Sequence, residues 1–155
     1  MRISFDLDDT LICYRSGTPA EPKPRWYWQL VASREPLRLG SRDLLKHLQS
    51  RDCEIWIYTT SNRAPLSVKL WLLSYGILIH KVINRDVHAR FVSCDSHGHV
   101  PSKNPASFGI DLHVDDSEGV RIEGNRYGFS VLVISPDDAG WAEKVLDSVE
   151  KLFGQ

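Results

Sequence analysis

The stretch "ISFDLDDTLI", residues 3 to 12, carries three carboxylates within four positions, set between two apolar runs. Stability alone seldom gathers Asp6, Asp8 and Asp9 so closely, because like charges repel. Ile3 to Phe5, with Leu7, predict a short buried strand that ends among these acids. Side chains alternate along an extended segment, so Asp6 and Asp8 share one side and can address one small substrate. Asp9 points the other way and reads as a turn or helix-cap residue.

Outward from this strand, strands alternate with helices. Ser41 to Ser50 reads as a helix capped by Ser41, with Leu44, Leu45 and Leu48 in one stripe. "EIWIYTT" is a strand of β-branched and aromatic residues. Pro65 suits the first turn of the next helix, in which Leu66, Leu70, Leu73 and Ile77 recur at helical spacing and Gly76 marks the stop. "IHKVI" predicts a third strand. Residues 84 to 104 are polar and irregular, with a short strand expected in "RFVSC". "DLHV" leads into Asp115 and Asp116, "SEGVRIEGNRYG" reads as a short glycine-interrupted helix, and "SVLVI" as a further strand. The last helix is expected from about Ala139 to Phe153, with Trp141, Val145, Val149 and Leu152 inward.

This alternation argues for an α/β layer fold with a mostly parallel sheet. Ligands of such sheets bind beyond the carboxyl ends of the strands. Three predicted strands end in polar clusters, at Asp6 to Thr10, Thr59 to Asn62, and Asp115 to Ser117. One site assembled from all three is expected.

Two carboxylates about 4 Å apart repel by roughly 4 kcal/mol at an effective dielectric of 20. Asp6, Asp8, Asp115 and Asp116 gathered at one sheet edge therefore call for protonation or for a cation. Oxygen-only ligands suit a hard ion, and Mg²⁺ is the usual choice beside phosphate. Of a carboxylate pair, one member can attack while the other handles a proton.

"SFDLDDTLI" resembles the first motif of the haloacid dehalogenase-like (HAD) superfamily, an apolar strand followed by Asp-x-Asp-x-Thr. "EIWIYTTS" resembles its second motif and "LHVDDS" its fourth. The resemblance implies a three-layer Rossmann-like fold and a Mg²⁺-dependent phosphatase or phosphotransferase. On that resemblance Asp6 is the nucleophile that forms an aspartyl-phosphate, and Asp8 is the general acid and then the base. Thr59 hydrogen-bonds a phosphoryl oxygen, with Thr60 the alternative. Asp6, the backbone carbonyl of Asp8 and Asp115 hold Mg²⁺, with Asp116 close by. The backbone amides of Leu7, Thr60 and Ser61 cradle phosphate, and Asn62 and Arg63 either reach substrate or serve as helix-capping and solvated residues. The third motif is a lysine, assigned to Lys103 in "VPSKNPASFG", with Lys81 as the fallback. An acid at position 8 favours phosphate chemistry over dehalogenation, because an alkoxide leaving group benefits from a proton and a halide does not.

The 155 residues suit a single catalytic domain, 1–155, with a loop or flap insertion at about 13–35. Only 48 residues, Leu11 to Tyr58, separate the first two motifs, so a minimal cap is expected. A composition of 42% hydrophobic and 25% charged residues is ordinary for a soluble globular domain. The formal charge of −1 gives no broad attraction to nucleic acid or anionic membranes, which leaves a phosphorylated small molecule or macromolecule as the expected partner. "PKPRWYWQ" nevertheless mixes basic and aromatic residues and can stack a nucleobase or pack a loop onto the core. Cys13, Cys53 and Cys94 are odd in number and widely spaced, which reads as a reducing cytoplasm rather than a disulfide framework. No signal peptide fits before Asp6 and no apolar run is long enough to span a bilayer. Cys94, His97 and His99 offer a weakly spaced zinc set. His113 reads as a satisfied buried residue. The competing function classes are a response-regulator-type phosphate acceptor, disfavoured because "VLVISPDD" lacks a lysine, and a non-catalytic phosphate- or partner-binding domain.

Overall fold

A computed structural model describes residues 1–14, 17–30, 32–92 and 99–154. Its centre is a five-stranded parallel sheet in the order β3-β2-β1-β4-β5, formed by β1 (Arg2–Phe5), β2 (Glu54–Tyr58), β3 (Lys81–Ile83), β4 (Leu112–Asp115) and β5 (Val131–Val133). Five α-helices connect and cover it among the described residues: α1 (Ser41–Ser50), α2 (Pro65–Ser74), α3 (Arg85–Phe91), α4 (Glu118–Tyr127) and α5 (Trp141–Phe153).

Period-two alternation makes the strands two-faced. Ile3, Phe5, Ile55, Ile57, Leu112 and Val114 join one core with apolar residues of α1, α2 and α5. Trp56, Tyr58 and Ile83 face the opposite side, where they pack with Phe108 and Ile110 in a second, smaller core. Two cores on two faces make the three-layer Rossmann-like arrangement expected from the sequence. The chain builds β1, β2 and β3 outward in one direction, then returns to place β4 on the other side of β1. The strand order reverses between β1 and β4, and a crevice for ligands opens at such a switch point.

Several local readings differ. Ser41 is the first residue of α1 rather than its cap. The cap is Gly40, whose φ of 86° suits glycine, and the Ser41 hydroxyl is buried without a hydrogen-bond partner among the described residues. On α2 the buried side chains are Val68, Trp71 and Leu72, whereas Leu66 is 68% exposed. The segment is apolar nearly all round, so spacing alone could not choose its face. Arg90 and Phe91 of "RFVSC" belong to α3, not to a strand. That helix is set by Asn84, whose side chain accepts the Val87 amide at 3.0 Å, and it buries no side chain of its own, which left no apolar stripe to read. Cys94 and His97 lie outside the described residues, so the zinc reading is not addressed. Between Cys13 and Gly40 the described residues hold only a 3-10 helix at Trp26–Leu30 and a single bridge between Ala20 and Arg38. Cys13 and Cys53 are free thiols. Among the described residues no helix is long and apolar enough to cross a membrane.

Candidate active site

The chain leaves β1 at Phe5 and turns at once. The Asp6 amide still pairs with the Val114 carbonyl at 2.9 Å, which fixes Asp6 beside the end of β4. The Leu7 carbonyl then accepts from the amides of Leu11 at 3.0 Å and Ile12 at 2.7 Å, closing a tight loop. Asp9 takes a φ of 57° within it, a left-handed conformation that Asp tolerates better than most residues. Asp9 is thus a turn residue, as the alternation suggested. Leu7 is fully buried and anchors the loop in the core.

Asp115 ends β4 and Asp116 follows it. Lys103, just before a 3-10 helix at Pro105–Phe108, is buried and reaches both strands. Its Nζ donates to Asp6 Oδ1 at 2.7 Å and to Asp115 Oδ2 at 2.5 Å. Carboxylate oxygens of Asp6, Asp115 and Asp116 lie within 4.8 Å of one another. Four residues from three distant parts of the chain therefore meet at the switch point. Lys81 lies elsewhere: it opens β3 and its ammonium sits 5.1 Å from the centre of the Trp56 ring.

One lysine does not balance three acids. Burial, with the Asp115 charge adding to it, outweighs Lys103 and pushes the Asp6 carboxyl up to about 6. Burial and then Asp115 also raise Asp116. Asp115 goes the other way, since the His113 hydrogen bond and the charge of Lys103 outweigh its own burial and hold it well below the usual carboxylate range. The cluster is short of positive charge, and all its donors are oxygen. Both properties fit a hard divalent cation held by Asp6, Asp115 and Asp116.

Asp115 is braced from behind. Period-two alternation on β4 places His113 on its face, and the β1–β4 register sets Ser4 opposite His113. The His113 Nε2 lies 2.8 Å from Asp115 Oδ2 and its Nδ1 lies 2.7 Å from the Ser4 hydroxyl. Complete burial lowers the imidazole pKa, so the ring is neutral. A neutral ring that donates to a carboxylate through Nε2 accepts the Ser4 hydroxyl through Nδ1. The chain Ser4–His113–Asp115 is then satisfied at every atom. The reading of His113 as a satisfied buried residue stands, and its partner is a site acid.

Asp8 faces elsewhere. Both its oxygens are bound by Arg63, at 2.8 Å each, and the Tyr14 hydroxyl donates to Oδ1 at 2.7 Å. Arg63 also donates to Glu35 at 2.7 Å. Burial opposes ionisation of Asp8, but the Arg63 and Tyr14 hydrogen bonds outweigh it and lower its pKa. Tyr14 and Glu35 come from opposite ends of the segment between the first strand and α1, so both ends of that segment are tied to Asp8. No arginine touches Asp6, Asp115 or Asp116 among the described residues.

At the end of β2, Thr59 is buried, its amide pairs with the Ile83 carbonyl at 2.9 Å, and its Oγ1 accepts the Ser61 amide at 3.1 Å. Thr60 and Asn62 are exposed on the same turn, and Ser61 is half-buried. Asp6, Lys103, Asp115 and Asp116 thus form one contact cluster, while Asp8 sits with Arg63, and Thr59 to Asn62 form the neighbouring strand end. Arg63, Tyr14 and Glu35 were not singled out as a network, because their meeting is a product of tertiary structure. That His113 shares a face with Asp115 could have been read from strand alternation, whereas its pairing with Ser4 needed the β1–β4 register.

The fold and this cluster define a parallel α/β domain with an oxyanionic site at its switch point. No protein-family model matches the sequence, and no curated protein is similar enough in sequence to match. Solved structures do match. A chain of the Pnkp1/Rnl/Hen1 complex aligns with a TM-score of 0.55 at 13% identity, over 85% of this chain and 45% of that one. The hypothetical protein PH1952 from Pyrococcus horikoshii OT3 aligns with a TM-score of 0.39 at 20% identity, over 85% of this chain and 40% of that one. A predicted HAD-like family hydrolase from Porphyromonas gingivalis aligns with a TM-score of 0.49 at 13% identity, over 99% of this chain and 98% of that one. The chain spans less than half the length of the first two. At these identities the likeness to the first is one of fold.

Proposed function

We propose that this chain is a HAD-type phosphatase that hydrolyses phosphate monoesters through Asp6, with Mg²⁺ held by Asp6, Asp115, Asp116 and the Asp8 carbonyl. The observation that carries this reading is the meeting of the Asp6, Asp115 and Asp116 carboxylates, the first two bound by Lys103, where the strand order reverses. Monoester hydrolysis is among the slowest uncatalysed reactions, so a positioned nucleophile and dense positive charge answer its main need. When bound, Mg²⁺ would neutralise the anionic phosphoryl group and allow Asp6 to approach it.

An Asp6 oxygen attacks phosphorus and the bond from phosphorus to the ester oxygen breaks. The departing alkoxide takes a proton from Asp8. Water then attacks the aspartyl-phosphate, its proton returns to Asp8, and the bond from phosphorus to Asp6 breaks to free inorganic phosphate. Lys103 stays on Asp6 and offsets charge throughout. The Thr59 hydroxyl and the amides of Leu7 and Thr60 receive the phosphoryl oxygens, joined by the Ser61 amide once it leaves Thr59 Oγ1. Asp8 bound to Arg63 is the base form of this cycle. Protonation requires Arg63 to withdraw, and Glu35 is the carboxylate that keeps it company.

The same Arg63 contact favours a second reading, a non-catalytic phosphate-binding domain, in which Asp8 is permanently neutralised. A screen of phosphorylated sugars, nucleotides, amino acids and peptides separates the two. Phosphate release that needs Mg²⁺, stops with EDTA and is lost in Asp6→Asn supports the enzyme. Metal-independent release, or full activity in Asp6→Asn, defeats the mechanism. Mg²⁺ binding with no turnover across the panel favours the second reading.

A further inference from the structure

Away from the acid cluster, cations collect on one flank. Residues 21–28 run beside the end of α2 and the start of α1, and a groove of about 370 Å³ lies between them. Lys23, Arg25 and Arg42 line it. Arg34 lines an adjoining groove of about 210 Å³, which shares Lys23 and Trp28 with the first. All four cationic side chains are exposed, and none forms an ion pair among the described residues. The one acid in the larger groove, Glu21, is already engaged by the Arg42 backbone amide at 3.0 Å. With the whole chain at −1, the remainder without these four cations stands at −5, so the flank is locally basic against an acidic body.

Aromatic rings stand among the charges. Tyr27, Trp28 and Tyr75 line the groove, and Trp26, 74% exposed, lies with its ring centroid 6.1 Å from that of Tyr27. The smaller groove adjoins the cavity beside Arg63, the partner of Asp8. Ser33 lines the smaller groove and equally a cavity of about 190 Å³ bounded by Leu7, Glu35 and Arg63. Leu7 lies between Asp6 and Asp8 in the chain.

Unpaired cations select a polyanion. Flat rings set between them select a polyanion whose repeating units are themselves flat, since base–aromatic stacking contributes about 1–3 kcal/mol per base. An acidic phosphopeptide meets only the first condition. We propose that this trough binds single-stranded nucleic acid, with backbone phosphates on Lys23, Arg25, Arg34 and Arg42, bases against Tyr27 and Trp28, and a terminal phosphate directed toward Asp6. Only the last clause rests on the phosphatase reading. The net charge of the chain concealed this partner, because the basic flank and the acidic site cancel in the sum.

Fluorescence anisotropy with an internally labelled single strand of about 12 nucleotides bearing a terminal phosphate tests it. Binding is expected, and weakens roughly 20-fold between about 50 and about 200 mM salt if about three phosphates are neutralised. The variant Lys23→Glu/Arg25→Glu/Arg42→Glu loses affinity at least about tenfold. Tyr27→Ala loses affinity severalfold with an unchanged salt slope. Arg121→Glu/Lys144→Glu/Lys151→Glu, the same charge change on α4 and α5, binds as the parent does. Circular dichroism checks that each variant folds. Absence of binding at about 50 mM salt, equal loss in the α4/α5 variant, or tighter binding of an acidic phosphopeptide of similar length overturns the proposal. Binding through the trough without phosphate release from the strand supports the trough and counts against the phosphatase reading. Phosphate release from p-nitrophenyl phosphate without strand binding does the reverse.

Discussion

At residue 6, nucleophilicity and stability pull in opposite directions. The proposed attack requires the carboxylate, while burial favours the acid and lifts the group to about 6 from an ordinary 3.8. A folded-state pKa raised above the unfolded one stabilises fully below pH 3.8 and loses that contribution as pH rises through about 6. Asn mimics the protonated form, so Asp6→Asn is expected to match the parent in stability near pH 4. In metal-free buffer it should exceed the parent at pH 7.5 by about 3 kcal/mol, the scale set by 1.36 kcal/mol per pKa unit over the rise from 3.8 to about 6. Urea melts at both pH values measure this, and a variant less stable than the parent at pH 7.5 refutes it. His113 carries the companion prediction. Replacing it with Phe keeps the ring but removes the bond to Asp115 at 2.8 Å and the partner of Ser4. Loss of a residue that orients a metal ligand typically costs about 10- to 100-fold in metal affinity. Calorimetric titration of His113→Phe with Mg²⁺ should show a loss of that order, and unchanged affinity would make the His113 contact merely a packing detail.

At the scale of elements, the close approach of α4 to the sheet turns on Gly124. A Cβ there would lie 2.6 Å from the Phe129 carbonyl oxygen and 3.0 Å from Val131 Cγ2, backbone and strand that cannot easily yield. Gly124→Ala is expected to destabilise by about 1–3 kcal/mol despite the better helix propensity of Ala, and thermal melts decide the sign. This contact explains the glycine in "RIEGNRYG", which the sequence marked only as an interruption. The elements legible beforehand were those with one-sided patterns. Helix α1 buries Leu44, Leu45 and Leu48 as its spacing indicated, and α5 buries Trp141, Val145 and Val149, with Leu152 only partly covered. Helix α2 was located, but its spacing did not pick out the buried Val68, Trp71 and Leu72, because Leu, Val and Trp surround it. Helix α3 was missed, since a helix that buries nothing leaves no periodic trace. The strand-end acids stood out because packing does not call for such residues there, and Lys103, assigned on the family resemblance, does contact Asp6 and Asp115. The Arg63–Asp8–Glu35–Tyr14 network was not, because its members meet only after the segment between β1 and α1 has folded back.

Over the whole molecule, charge is separated rather than balanced. Basic residues gather along one flank while Asp6, Asp115 and Asp116 cluster at the switch point with one lysine, which binds the first two. Self-repulsion among those acids is stored in the apo fold, so a cation that enters among them should return it as stability. A ligand at about 100 times its dissociation constant stabilises the native state by about 2.7 kcal/mol. For a domain of this size that corresponds to roughly 5 to 10 °C in the melting temperature. Mg²⁺ is therefore expected to raise the melting temperature by that amount, whereas KCl at matched ionic strength should not. Asp116→Asn keeps a carbonyl oxygen but removes one negative charge, and with it part of the repulsion and part of the attraction for a cation, so its apo form should melt higher than the parent and gain less from Mg²⁺. The two shifts have opposite signs in one variant, which general folding damage cannot imitate. A parent protein indifferent to Mg²⁺, or an Asp116→Asn variant that gains as much as the parent, would show that the three carboxylates do not act together on a cation.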